Sequence, residues 1–306
     1  MDLGYEDPHA PLASLRNVDL RYPIVPLIPP EPTYWSDDEM EPDYERGGYV
    51  WFFWLVQLPQ IESVSVHKLL KNTSGIPMPS SLGLKRLKVS DETALDTERL
   101  EEILEAFPAL EYLDATWKFS DMIELGMEWS PDTQWAALGA ALTKHGSKLH
   151  KLRLDNPTIH YLSDKPSTTP INLASLSNLR YLTLPVEALL SEPAGEYIVP
   201  ASGEACDDDD EFSDLHAMGH GVNTPTASLC QLLPCSLQRL RIIDDYHLWA
   251  DAVRLDKELR DLILDPRFSE LRSIRVRRKI PWSKHVKDLG WHVTRHEPYW
   301  NVLSRS

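Results

Sequence analysis

Residues Ser147–Asn156 have the sequence SKLHKLRLDN, and the fold class follows from this stretch. Leu149, Leu152 and Leu154 are apolar, whereas the residues between them are polar or charged. Because successive side chains of a β-strand point to opposite faces, this alternation is typical of a strand with one buried face. The stretch therefore predicts a short strand that places its leucines in a core and its charged residues on the opposite face.

The same L-x-x-L-x-L phrase, with conservative replacements, recurs along the chain. Its eight apolar triplets are Leu15/Val18/Leu20, Ile61/Val64/Val66, Leu84/Leu87/Val89, Leu110/Leu113/Ala115, Leu149/Leu152/Leu154, Leu179/Leu182/Leu184, Leu237/Leu240/Ile242 and Leu271/Ile274/Val276. Successive phrases start 23 to 58 residues apart. One phrase of this kind carries little weight in a leucine-rich chain, but eight of them predict a repeat array.

Two segments between the phrases, Asp96–Phe107 and Pro131–His145, have the periodicity of amphipathic helices, and a proline suits the first turn of the second one. Trp249–Leu264 is predicted as a third helix. Strands that alternate with helices or loops give a parallel sheet in which each unit buries its leucines against its neighbours. The sequence therefore predicts an α/β fold, an irregular leucine-rich repeat solenoid or arc. Its parallel strands would form the concave face, and its helices and loops the convex face.

We predict one leucine-rich repeat domain over residues 1–306, with three segments that are not repeats. Residues 22–48 are rich in proline and acidic residues and predict a surface loop. Residues 192–223 contain the run GEACDDDDEFSD, which is too polar to bury enough surface, and they predict a mobile acidic insertion. Residues 281–306 predict a C-terminal cap made of a short helix and a last strand.

Composition limits the classes of function that the chain can have. The net charge of -16 over 306 residues makes nucleic acid an unexpected partner, because the surface as a whole would repel it. No apolar run is long enough for a membrane span, and the acidic N-terminus does not resemble a secretory signal. Three cysteines are typical of a reducing compartment, so we predict a cytoplasmic or nuclear protein.

The polar positions of the phrases carry an unusual charge. The third, fifth and seventh residues of the eight phrases are 24 positions with nine Lys or Arg and three Asp, a net charge of +6. The rest of the chain has 22 basic and 44 acidic residues, a net charge of -22. Since a basic concave surface favours an anionic partner, we predict a binding stripe for an acidic or phosphorylated protein segment. Its residues are Arg86, Lys88, Lys151, Arg153, Arg239, Arg241, Arg275 and Arg277.

Two alternatives to the binding stripe remain open. The aliphatic stems of Arg and Lys cover sheet surfaces without any partner. The run Asp207–Glu211 lies between two phrases, and it could fold back onto Arg239 and Arg241 and mask them.

No recognised catalytic motif is present, so we predict that the chain is not an enzyme and needs no cofactor. An enzyme or accessory catalyst on a repeat scaffold is the alternative function, because a fold does not exclude an activity. His216 and His220 lie near Cys206, Cys230 and Cys235, but their spacing is not that of a structural zinc site. The acidic run lacks the glycine of a calcium loop. We therefore predict no metal site.

Four stretches carry a closer resemblance to a known group of proteins. They are FFWLVQLPQIESVSV (52–66), LEEILEAFPALEYLDAT (100–116), LASLSNLRYLTLPVEALL (173–190) and LLPCSLQRLRIIDD (232–245). They resemble the leucine-rich repeat portion of the fungal F-box-like proteins. The resemblance implies a substrate-recognition arm related to ubiquitin ligases. No F-box module is visible before the first phrase at Leu15, so the sequence does not support a ubiquitin-ligase adaptor as a partner.

Overall fold

All eight phrases form neighbouring strands of one sheet. The structure is a computed structural model that describes residues 15–20, 52–67, 77–92, 97–117, 135–155, 169–190, 227–243, 249–276, 286–296 and 300–305. The strands are β1 Asn17–Leu20, β2 Ser63–His67, β3 Arg86–Glu92, β4 Tyr112–Trp117, β5 Lys151–Asp155, β6 Tyr181–Pro185, β7 Arg239–Ile243, β8 Ser273–Val276, β9 Trp291–His296 and β10 Trp300–Arg305. The predicted segments 22–48 and 192–223 lie outside the described residues.

The sheet has ten strands in the order β1-β2-β3-β4-β5-β6-β7-β8-β10-β9. Every pair from β1 to β8 is parallel, and β10 pairs antiparallel with both β8 and β9. The sheet is open, because β1 and β9 lie at opposite ends of it. The predicted α/β class and the adjacent parallel strands are therefore confirmed.

A repeated backbone contact joins each unit to the next. One carbonyl accepts hydrogen bonds from two consecutive amides at the start of the following strand. Glu111, for example, accepts from His150 at 2.8 Å and from Lys151 at 3.0 Å. The acceptors of these bonds are Arg16, Glu62, Lys85, Glu111, His150, Arg180 and Gln238. The contact is the same whether a short or a long segment connects the strands, so the backbone repeats although the sequence interval varies.

A tight turn precedes six of the strands. The amide of the first apolar residue of the phrase donates to the carbonyl three residues earlier, as from Ile61 to Leu58 at 3.1 Å and from Leu110 to Phe107 at 3.0 Å. The same bond is made by Leu149, Leu179, Leu237 and Leu271. Pro59 occupies the second position of its turn, where the fixed φ of proline is favourable. The residue pairs Leu58-Pro59, Phe107-Pro108 and Leu176-Ser177 occupy the first two positions of three of these turns.

The middle apolar residues of the phrases stack across the sheet. In register they run Val18, Val64, Leu87, Leu113, Leu152, Leu182, Leu240 and Ile274, and Leu303 of β10 continues the row. Leu152 and Ile274 are fully buried, and Leu113 is 1% exposed. All except the half-buried Val18 belong to one continuous core together with the helices. The leucine face of the sheet is therefore the inner face, as predicted.

The three longest described helices cover the leucine face. They are α1 Thr97–Ala106, α2 Trp135–His145 and α3 Trp249–Leu264, and they agree with the predicted segments. Residues 96 and 131–134 of those segments lie outside the described residues, and two four-residue helices occur at Val186–Leu189 and Leu229–Leu232. Lys144 of α2 lies 3.7 Å from Glu101 of α1 and joins the two helices. Gly139 lets α2 approach the main chain closely, because a Cβ there would lie 2.9 Å from the amide nitrogen of Asn172. None of the described helices is long and apolar enough to cross a bilayer.

The described C-terminal residues contain two strands where one was predicted, and residues 281–285 of the predicted cap lie outside the described residues. Gly290 follows a 3-10 turn at Lys287–Leu289 and has a φ of 75°. Two strands, β9 and β10, then form an antiparallel pair, and the later strand is the one that contacts β8. Trp291 is 2% exposed and belongs to the core. The second strand was not predicted, because neither β9 nor β10 has the spacing of the repeated phrase.

Candidate functional site

The face of the sheet opposite the leucines carries the predicted site residues, and we call it the polar face. Its described members from β3 to β8 include Arg86, Lys88, Tyr112, Asp114, Lys151, Arg153, Asp155, Tyr181, Thr183, Arg239, Arg241, Ser273 and Arg275, together with Trp300 of β10. Seven of the eight predicted residues lie on it, whereas Arg277 is outside the described residues. Strand register brings these side chains together from segments far apart in the sequence.

The third residues of the phrases form the first row of the polar face. Across β3 to β7 this row reads Arg86, Tyr112, Lys151, Tyr181 and Arg239, each paired in register with the next. Cations therefore alternate with tyrosines on successive strands. The guanidinium carbon of Arg86 lies 4.8 Å from the ring centroid of Tyr112, and that of Arg239 lies 5.3 Å from the ring of Tyr181. Both distances are within the range of cation–π attraction.

The fifth residues form the second row, and its centre is electrically neutralised. Arg153 donates to Asp155 on the same strand at 2.6 Å, and its Nε lies 3.7 Å from Asp114 on β4. Asp114 also pairs in register with Lys88. The prediction treated Arg153 as one of eight equivalent cations, but the structure places it between two carboxylates. A partner would have to displace those contacts before it could use this guanidinium.

At one end of the second row two arginines pack on a tryptophan. The guanidinium carbons of Arg241 and Arg275 lie 4.4 Å and 4.6 Å from the ring centroid of Trp300. The two arginines are register partners on β7 and β8, so their like charges are close together. Attraction of both guanidiniums to the Trp300 ring offsets part of that repulsion. The sequence analysis missed Trp300 because it assigned residues 281–306 to a cap. The alternation along β10, with Trp300, Val302 and Ser304 on one side and Leu303 on the other, was the feature that could have placed Trp300 on the polar face.

Exposure decreases from the amino ends of the strands towards their carboxyl ends. Arg86, Lys151 and Arg239 of the first row are exposed, whereas the second row from β4 to β8 is half-buried. The seventh positions were predicted to be exposed as well, and this is wrong in part. Ser90 is 7% exposed and Ile243 is 6% exposed. Ile243 is the last residue of β7, and Ser90 lies where the pairing of β3 with β4 is irregular. The accessible part of the polar face is therefore centred on the first row.

A second cluster of polar groups lies away from the polar face, around Cys230. Burial raises the pKa of the Cys230 thiol to about 11, and the nearby Asp265 carboxylate adds to the shift. Hydrogen bonds from the side chain and the amide of Arg267 lower the pKa of Asp265 to about 2. Arg267 also donates to the Cys230 carbonyl at 3.3 Å. The thiol is therefore protonated at neutral pH, and the cluster joins two backbone segments instead of supplying a nucleophile.

No group of three His, Cys, Asp or Glu side chains suited to a metal ion occurs within the described ranges. The segment with His216, His220, Cys206 and Asp207–Glu211 lies outside them.

A comparison with protein-family models finds no match for this chain, and a comparison with curated proteins finds none either.

Proposed function

We propose that the chain is a non-enzymatic recognition scaffold that binds an acidic or phosphorylated segment of a partner protein on its polar face. In this proposal the sheet is the concave side of an irregular leucine-rich repeat arc, and the chain is related to the recognition arms of F-box proteins. Its site residues are the seven described cations of the face together with Arg277.

The observation that carries the proposal is the separation of charge between the polar face and the rest of the chain. Cations from β3, β5, β7 and β8 share one side of a single sheet, while the chain as a whole has a net charge of -16. Side chains on neighbouring strands are about 4.7–4.9 Å apart, so their fields add where they face solvent. A surface of this kind attracts anionic groups and repels cationic ones.

The regular backbone supports the assignment to the leucine-rich repeat type. Successive units repeat the same turn, the same carbonyl that accepts two hydrogen bonds, and the same leucine position. In repeat proteins each unit contacts mainly its neighbours, and the exposed sheet is the usual binding surface.

The proposal can be tested with fluorescently labelled poly-L-glutamate as the probe. The double variant Arg86→Glu/Arg239→Glu is compared with Lys257→Glu/Arg260→Glu, which makes the same change in net charge at exposed positions of α3. We expect the first variant to lose binding by about tenfold or more at low salt and the second by about twofold or less, because charge interactions weaken with distance. Circular dichroism verifies that both variants fold.

Two results would reject the proposal. One is the absence of any poly-L-glutamate binding by the unaltered protein at low salt. The other is an equal loss of binding in the two double variants, which would assign the effect to net charge alone and leave the basic side chains as a covering for the sheet.

The relation to ubiquitin ligases requires a separate experiment. Affinity purification with mass spectrometry identifies the proteins that bind the unaltered chain but not the Arg86→Glu/Arg239→Glu variant. Adaptor subunits of a ubiquitin ligase recovered with both forms would support an F-box-like role, because an adaptor would bind outside the polar face. Their absence from both samples would reject that role and leave anion binding unaffected.

A further inference from the structure

The first row of the polar face has a chemical pattern that is more specific than positive charge. Arg86, Lys151 and Arg239 lie on every second strand, and Tyr112 and Tyr181 lie between them. All three cations are exposed. Among the described residues, no carboxylate forms an ion pair with any of the three. The row therefore presents three available cations at a regular interval.

The tyrosines hold two of these cations in place. The rings of Tyr112 and Tyr181 are half-buried, and the guanidiniums of Arg86 and Arg239 lie over them. Stacking on a ring restricts a long flexible side chain while its N–H groups remain free to donate to an anion. A restricted side chain loses less entropy when a partner binds. The row is thus prepared for carboxylates at defined positions.

The distance between the cations determines which peptide conformation fits the first row. Neighbouring strands are about 4.7–4.9 Å apart, so residues on alternate strands are separated by about 9.5 Å. A polyproline II chain rises about 3.1 Å per residue, and three residues therefore span about 9.3 Å. A peptide in this conformation that crosses the strands would present every third side chain to the next cation.

From this match we infer that the partner segment is an extended acidic peptide with an acidic side chain at every third residue. The peptide crosses β3 to β7, and its three acidic side chains pair with Arg86, Lys151 and Arg239. The inference rests on the proposed function, and it adds the spacing and direction of the bound segment. The second row contributes less, because Arg153 is held by two carboxylates and Arg241 lies on Trp300.

The test uses two nine-residue peptides of identical composition and charge. The spaced peptide is Gly-Glu-Pro-Pro-Glu-Pro-Pro-Glu-Gly, and the clustered peptide is Gly-Pro-Pro-Glu-Glu-Glu-Pro-Pro-Gly. Both are labelled at the N-terminus, and fluorescence anisotropy gives their affinities for the whole chain. Because the clustered peptide can reach only one first-row cation well, we expect the spaced peptide to bind about fivefold more tightly.

Variants at the central cation test whether this preference comes from the first row. Lys151→Met keeps most of the aliphatic stem and removes the charge, and Lys257→Met makes the same change on α3. We expect Lys151→Met to reduce the preference to about twofold or less and Lys257→Met to leave it unchanged. An unchanged preference in Lys151→Met would overturn the inference.

Other outcomes separate this inference from the proposed function. Equal binding of the two peptides, with poly-L-glutamate binding still lost in Arg86→Glu/Arg239→Glu, would overturn the spacing and leave the anion-binding face. A single-stranded oligouridylate that bound more tightly than the spaced peptide and displaced it would overturn the assignment to a peptide.

Discussion

Truncation of Leu152 to alanine tests whether the repeated leucines share one core. Leu152 lies in the middle strand β5 and is fully buried, and its register partners Leu113 and Leu182 are 1% and 2% exposed. The substitution removes three carbon groups, for which the transfer term is about 2.4 kcal/mol. Strands on both sides limit the collapse of the cavity, and an open cavity adds up to about 2 kcal/mol. We therefore expect the free energy of unfolding to fall by about 2.5–4.5 kcal/mol.

Leu82→Ala is the matched control, because Leu82 is 80% exposed and loses the same atoms. We expect this control to change the free energy of unfolding by less than about 0.5 kcal/mol. Urea unfolding followed by circular dichroism gives both values from the shift in midpoint at constant slope. A cost below about 1 kcal/mol for Leu152→Ala, or one equal to that of Leu82→Ala, would refute the shared core.

Three further predictions follow from the packing and the charges. At pH 8 alkylation of Cys230 should be about a hundredfold slower in the folded protein than in the urea-unfolded chain, because burial raises the pKa of the thiol to about 11; equal rates by site-resolved mass spectrometry would contradict this. Gly139→Val should lower the urea midpoint, at a cost of about 1–3 kcal/mol in the free energy of unfolding, because a side chain there meets the main chain, whereas Ala140→Val at the next, exposed position should not. Asp155→Asn should tighten poly-L-glutamate binding by about two- to tenfold, since it removes one of the two carboxylates that hold Arg153 and with it a negative charge of the face; weaker binding would show that Asp155 positions Arg153 for the ligand.

The strands of the sheet were predictable because each unit repeats a local pattern. The period of two in SKLHKLRLDN predicts the strand and its buried face. The repetition of the phrase along the chain predicts which strands are neighbours in the sheet. The helices α1 and α2 were predictable from a period near 3.6. The hairpin of β9 and β10 was not, because its pairing depends on contacts with β8 that no repeat in the sequence encodes.

The site was predictable in its position but not in its internal contacts. Alternation places Arg86, Lys151 and Arg239 on one face whatever the length of the connecting segments. Whether a cation is available to a partner depends on side chains from the adjacent strand. The contact of Arg153 with Asp114 requires the register of β4 and β5, and the position of Trp300 requires the hairpin. The sequence alone therefore predicts eight equivalent cations. The structure separates a first row of exposed cations from a second row whose arginines contact carboxylates or Trp300.

The distance between the first-row cations also determines how peptide binding should depend on salt. The Debye length is about 30 Å at 0.01 M salt and about 8 Å at 0.15 M. Arg86, Lys151 and Arg239 are separated in steps of about 9.5 Å, so their fields merge at the lower salt concentration and are separate at the higher one. A merged field attracts any trivalent peptide, whereas separate cations bind more tightly the peptide whose charges match their spacing.

Added salt should therefore weaken binding of both nine-residue peptides and increase the ratio of their affinities. Anisotropy titrations between 0.01 M and 0.15 M salt measure that ratio, and the Lys257→Met variant should give the same rise as the unaltered chain. A ratio that stayed constant or fell towards one would mean that the polar face acts as a single diffuse charge, and that the tyrosines do not hold the arginines at spaced positions.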